Sequence, residues 1–557
     1  MNNWGLIVLM LVLLIIVIIL CYYYYKMNSK KEEDKNIPDD IFDKTNIVDI
    51  IRHNSENNGR KILFNIHNMK NDKPKKITYE SFYNKCVSIS EIILYHIGPY
   101  AKIGIMSSNR YETMLLYVSA IIAHRTPTII DKQFDSSTIG DIILHSQIDV
   151  LLVDDNEDII RIYGKEYPLL KMIIQINNTK SDEKYFNDIM SDIINDVKKN
   201  SNLKILSFKQ FTELCTYSWI LKKKIDHSMY SSNDDVTVLY SKSKKGLIVT
   251  RIKNKNIIFV VKSFVNKIKT LTSMNISIGE SYMSCMPLTS SISLVSSIFI
   301  PLLTLGVINI CDNCKHSLHV NDVSDYEMCC NMLVKSSPTI LMMNGNAWKN
   351  IQKIIDNEVD KCKSYDIINK ILINKIMLKN IGLSKLKLSY FLYNNDNDDK
   401  SIFDCVNYDC LKNIGIDIYN IYGDNQTTGM IAMCVPTFNN GIGIPLSKVK
   451  IDKQNKILLK GNNICNTSND WLMTEHFGFI NRDGTLYIDD QHNINVNDDT
   501  LYIDDQHNIN DNDGNNINNV DDVNNINDTN NVAVVNDINN VNNVNNVNND
   551  VSDNKKI

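Results

Sequence analysis

The chain has 557 residues, 43% of them hydrophobic, enough for packed cores in two or three domains. A net charge of −5 gives it no basic field, and its lysine clusters are balanced by Asp and Glu, which argues against nucleic acid as a partner. Thirteen scattered cysteines form no small disulfide framework and read as reduced cytosolic thiols.

The first element is Trp4–Cys21, an uncharged apolar run long enough as a helix to span most of a bilayer. Tyr22–Tyr25 place amphipathic rings at headgroup level, and Lys26, Lys30 and Lys31 follow. Residues 1–25 are therefore expected to be a single-pass anchor in membrane lipid, with the body cytosolic; residues 26–48 read as a polar linker.

An α/β alternation then begins and defines a first subdomain, residues 49–230. Phe82, Cys86, Ile89, Ile93 and Ile97 recur at helical spacing until Gly98-Pro99. A strand at Lys102–Met106 follows, then an apolar helix around Met114–Ile122, a strand at Pro127–Ile130, a helix at Ser137–His145 and a strand at Val150–Val153. A second α/β region covers 231–440 and a small β subdomain 441–490. Within the second region, Cys311, Cys314, His316, His319, Cys329 and Cys330 are zinc-ligand types, but their spacing matches no standard finger, and buried core cysteines explain them as well. In the tail, 491–557, Thr485–Asn495 recurs as Thr500–Asn510, and Asn, Val and Asp fill the rest. Its period of three suits neither helix nor strand, so the tail is expected to be disordered.

Two segments carry a family resemblance. Tyr422-Gly423-Asp424-Asn425-Gln426-Thr427-Thr428-Gly429 resembles the Y-G-x-T-E-T-x-G segment of AMP-forming acyl-CoA synthetases, and Trp471–Phe479 resembles their W-x-x-T-G-D-x-G segment. Further similarities lie at Asn109–Glu112, Gln147–Val153, Met286–Ser290, Leu305–Val307, Gly443–Leu446 and Ile457–Gly461. Pro338-Thr339-Ile340 with Trp348 is most similar to the long-chain fatty acyl-CoA synthetases. The resemblance implies the adenylate-forming large-domain fold, two layered α/β subdomains and a small β subdomain. The activity it implies joins a fatty acid to CoA through an acyl-AMP, using ATP and Mg²⁺.

Against that pattern the chemical groups are altered. The family's phosphate-wrapping loop, Y-T-S-G-T-T-G-x-P-K-G, corresponds to Tyr240–Val249, in which Ser241, Ser243, Lys244, Lys245 and Gly246 are the candidate phosphate contacts. Lysine in place of glycine removes access to positive φ and adds bulk where phosphate must approach, although Lys244 and Lys245 could attract phosphate as point charges. Gln426 stands at the glutamate that helps to hold Mg²⁺; its neutral amide is a poorer ligand, which Asp424 could partly replace. Tyr422, with Gly423 and Thr427, stands where the family stacks adenine, though a core tyrosine fits equally. His476 stands at the aspartate that accepts the ribose hydroxyls, and a neutral imidazole offers one acceptor. The counterpart of the S-G-G-A-P segment falls at Tyr393–Asp398. At the hinge, G-R-x-x-D/E is replaced by Asp489-Asp490-Gln491-His492, and the family's mobile-domain lysine has no counterpart in the sequence.

Three readings follow. The first is a catalytically impaired, membrane-anchored homologue; the second is an active ligase in which Lys244 or Lys245 replaces the missing lysine. The third is a non-catalytic scaffold that binds fatty acid, acyl-CoA or nucleotide, with an active homologue as its partner.

Overall fold

The computed structural model describes Val17, most of residues 37–488, and Thr500–Leu501, with 178–202, 215–229, 312–322, 394–407 and several shorter stretches left out. The expected anchor therefore lies outside the described residues except for Val17, and among the described residues no helix is long and apolar enough to cross a membrane.

Two mostly parallel sheets form the body. The first has seven strands, in spatial order Lys204–Ser207, Met172–Gln175, Val150–Val153, Ile103–Met106, Thr128–Ile129, Asp235–Ser243 and Gly246–Lys253. Only the last pair is antiparallel. The second has eight: Ala432–Cys434, Ile418–Tyr422, Leu388–Tyr393, Ile340–Met343, Ser281–Met283, Val307–Cys311, Ile62–His67 and Lys75–Thr78. Its two outermost pairings are antiparallel. The sheets thus do not divide at residue 230. Ile62–Thr78 crosses into the second sheet and Asp235–Lys253 into the first, so the expected boundaries interleave in space.

The helix expected around Met114–Ile122 runs from Tyr111 to Ile122, and every residue but Glu112 is buried. Its sequence is apolar on all sides because it has no solvent face. Tyr117 meets Phe299 edge-on at 6.0 Å, and Phe64, Phe82 and Tyr111 form an aromatic cluster with centroids 5.0–6.3 Å apart.

At the carboxyl ends of the first sheet's strands, Asp154 is 1% exposed and accepts from Ser107 Oγ at 2.6 Å, Ser108 Oγ at 2.5 Å and Lys132 Nζ at 2.8 Å. Burial alone would raise this carboxyl, but the Lys132 charge and the serine hydroxyls outweigh it and hold Asp154 below the usual range. A depressed carboxyl stabilises the fold above the unfolded value near ~4, and that contribution is lost as pH falls through the folded value. Asp158, 2.9 Å from the same lysine, is pushed up because burial outweighs the pairing. Removing Asp154 leaves Lys132 with its largest compensation gone. Asp154→Ala is expected to cost about 3–5 kcal/mol in denaturant unfolding.

The third sheet orders Gly441–Gly443, Leu486–Ile488, Leu472–Asn481, Lys456–Lys460 and Lys448–Ile451. Thr500–Leu501 also pairs with the long strand Leu472–Asn481. Ile480 faces Leu486 on one side and Leu501 on the other. These leucines are equivalent positions of the duplicated block, so both copies meet the strand in the same register. The expectation of disorder from 491 onward is therefore corrected at Thr500–Leu501; the other tail residues lie outside the described ones.

Of the zinc-type group, Cys311 is buried and Cys330 half-buried; the side chains of the others fall outside the described residues. Among the described residues no three His, Cys, Asp or Glu side chains gather as metal ligands.

Candidate functional site

The parallel strand Ile418–Tyr422 ends in the turn that carries the first motif, and the chain returns through Ala432–Cys434. Asp424 caps this turn. Its Oδ1 accepts from Thr427 N at 2.9 Å, while Thr427 Oγ1 donates to Asp424 O and accepts from Asp424 N. Asn425 Oδ1 accepts from Ser291 N at 2.7 Å, and Gln426 O accepts from Cys465 N at 2.7 Å. Thr428 adopts φ 54° and donates through Oγ1 to Asn463 O at 2.7 Å.

Both motif glycines are fixed by packing. A Cβ on Gly423 would lie 2.5 Å from the Gly429 carbonyl, and one on Gly429, at φ +82°, would lie 2.4 Å from Ile292 N and Cα. The turn therefore retains its glycines because backbone passes against backbone there, whether or not a ligand is bound.

Tyr422 and His476, far apart in sequence, meet edge to face with centroids 5.6 Å apart. They are 3% and 5% exposed, and Tyr422 belongs to the small β subdomain's core with Ile431, Ile457 and Leu459. The core reading of Tyr422 is thus the one the packing favours. Gln426 is half-buried and Thr427 fully buried.

The phosphate-loop candidates lie in the first sheet. Ser241 pairs with Ile248, Lys242 with Leu247 and Ser243 with Gly246, so the stretch is paired as a β-hairpin up to Ser243 and Gly246. Lys244 and Lys245 are outside the described residues. Ser243 Oγ donates to Gly246 O at 3.0 Å, and Lys242 Nζ lies 3.3 Å from Asp135 Oδ2 and 5.3 Å over the Phe134 ring. Tyr240 is pinned beneath, with His145 Nδ1 and Ser146 Oγ each 2.7 Å from its hydroxyl. A phosphate cradle needs several adjacent amides turned toward one anion, whereas this ladder alternates them between its two edges. The paired residues Tyr240–Ser243 and Gly246–Val249 form no such cradle. Sequence reasoning treated the stretch as a loop, yet two lysines and a glycine between apolar runs were the signal for a hairpin.

Beside Gly429 lies an apolar cavity of about 10 Å³, lined by Ile292, Val295, Met342, Ile421 and Met430 among others. It holds one water at most. Asn109 joins the two sheets by donating to Ser284 Oγ and Met286 O, and Trp348 Nε1 donates to Tyr390 O at 3.0 Å. These family-like positions serve packing. Of the S-G-G-A-P counterpart only Tyr393, paired with Tyr422, is described.

No family model matches the chain, and no curated protein does. Solved structures do. An anthranilate CoA ligase in complex with anthranoyl-AMP aligns at TM-score 0.56 and 14% identity over 80% of this chain and 76% of that one. The inhibitor-bound N-terminal domain of FACL13 from Mycobacterium tuberculosis aligns at 0.55 and 10%, over 80% of this chain and 99% of that one. The chain has the adenylate-forming acyl-CoA ligase fold. A coronafacic acid ligase from Pectobacterium brasiliense aligns at TM-score 0.54 and 14% identity over 80% of this chain and 77% of that one, so the match spans about three quarters of such longer chains and nearly all of the FACL13 domain.

Proposed function

We propose that the chain is a membrane-anchored, adenylate-forming-fold protein of the long-chain fatty acyl-CoA synthetase kind whose ATP-dependent ligase activity is weak or absent. The observation that supports the reading is the pairing of Tyr240–Ser243 with Gly246–Val249 where a triphosphate would be wrapped. Gln426 in place of a carboxylate and the engagement of Asp424 in its own turn support it, since Mg²⁺ prefers free anionic oxygen. The assignment to long-chain acids rests on the Pro338-Thr339-Ile340 and Trp348 pattern. One observation favours a second reading. Between the paired residues Ser243 and Gly246 the sequence carries Lys244-Lys245, two cations that could attract phosphate and sustain a divergent ligase using ATP and Mg²⁺.

Calorimetric titration of the full chain, with Mg-ATP and with a long-chain fatty acid in separate runs, tests the choice. No heat of binding with Mg-ATP is expected; saturable binding that is lost in Lys244→Ala/Lys245→Ala would favour the second reading.

The anchor is tested separately. Carbonate-washed membranes should retain the full chain, and removal of residues 1–25 should release it. Equal release of both forms would refute the anchor.

A further inference from the structure

The long strand Leu472–Asn481 accepts the same sequence along both of its edges. On one edge Asn481 N donates to Thr485 O at 2.9 Å, and Ile480, Phe479 and Gly478 stand opposite Leu486, Tyr487 and Ile488. On the other, Asn481 stands opposite Thr500 and Ile480 opposite Leu501. Thr485–Asn495 and Thr500–Asn510 are identical over all eleven residues. A slip of one residue would turn every side chain to the wrong face, so the shared register is a specific match.

The first copy fills a slot shaped for it. It lies between Leu472–Asn481 and Gly441–Gly443, with Gly441 opposite Tyr487 and Gly443 opposite Leu486. Leu486 is fully buried and Ile488 nearly so, in one core with Ile457, Leu459 and Ile480, while Phe479 stacks on Tyr487 at 4.9 Å. A Cβ on Gly478 would collide with the Tyr487 carbonyl. The Leu, Tyr and Ile that this slot takes recur in sequence as Leu501, Tyr502 and Ile503. The copies differ only in the chain that leads to them from Asn481, three residues for the first, 482–484, and eighteen for the second, 482–499.

We propose that the second copy is an interchangeable strand. When the first copy leaves the slot, Thr500–Ile503 takes the place of Thr485–Ile488 between Gly441–Gly443 and Leu472–Asn481, and the small β subdomain keeps its core. Identical side chains in an identical register give identical packing, so the exchange is opposed by the longer connection. Closing a connection six times as long lowers the population on the order of fifteenfold, far less than the loss of a buried strand. The proposal does not depend on whether the ligase is active.

Native-state amide hydrogen exchange across Leu472–Asn481, read by mass spectrometry on the full chain in detergent, tests it. An aspartate at the fully buried Leu486 would, without a replacement strand, raise exchange there by about a thousandfold or more. With the second copy in place the rise in Leu486→Asp should stop on the order of fifteenfold. Leu501→Asp alone should stay within about threefold of the parent, because the first copy still fills the slot. The double variant Leu486→Asp/Leu501→Asp should lose the protection altogether. A thousandfold rise in Leu486→Asp alone would overturn the proposal, and so would a double variant that exchanges no faster than Leu486→Asp. Protection of Leu486→Asp that grows with protein concentration would also overturn it, by assigning the replacement strand to a second copy of the chain.

Discussion

Gly429→Val is expected to destabilise the protein by at least ~3 kcal/mol and to lower its melting temperature sharply. The position combines φ +82°, which a β-branched side chain scarcely adopts, with a Cβ that would sit 2.4 Å from the backbone of Ile292. Neither problem can be relieved by a side-chain rotation, because the obstructing atoms are main chain. Gly423→Ala should also lower the melting temperature, as its Cβ would meet the Gly429 carbonyl at 2.5 Å. Gln426→Ala, at a half-buried side chain in the same turn, should stay within about 0.5 kcal/mol. Thermal unfolding of the three variants separates a motif kept for packing from one kept for chemistry.

The second large effect concerns the restoration of family residues. Gln426→Glu combined with His476→Asp should yield no pyrophosphate exchange, and the His476→Asp change should cost ~3 kcal/mol. His476 is 5% exposed and packed against the Tyr422 ring, so an aspartate would place a carboxylate in an apolar core. The strand pairing from Asp235 to Lys253 would remain, because it does not involve either restored residue. Exchange activity in a stably folded double variant would show that two substitutions alone had silenced the site.

Much of this fold was legible in the sequence where burial dictates pattern. Val150–Val153 is a strand buried at every position, and its unbroken apolar run marks it as such. The helix Tyr79–Ile92 follows the spacing of Phe82, Cys86 and Ile89, with Thr78 capping its first turn. The crossing of Ile62–Thr78 into the second sheet was not legible, because strand periodicity fixes which face is buried and not which sheet receives it. At the candidate site, Tyr422 and His476, which the resemblance set at the adenine and ribose positions, meet edge to face. Their burial was hidden, since a tyrosine that supports a ligand and one that fills a core look alike in a single sequence. The same ambiguity covers Gly423 and Gly429, whose close backbone contacts appear only in three dimensions. The role of Thr500–Leu501 was obscured by its low-complexity surroundings, although the repeated block already contained the strand that pairs at Leu486–Ile488.

The most direct measurement is fatty-acid-dependent exchange of labelled pyrophosphate into ATP by the unmodified full chain in the presence of Mg²⁺. The account predicts exchange no greater than that of a boiled control, because on the proposed reading the paired strands at Tyr240–Ser243 and Gly246–Val249, the amide of Gln426 and the buried His476 replace the phosphate, metal and ribose contacts that adenylation needs. Exchange well above that control, rising with fatty acid concentration and lost without Mg²⁺, would contradict it.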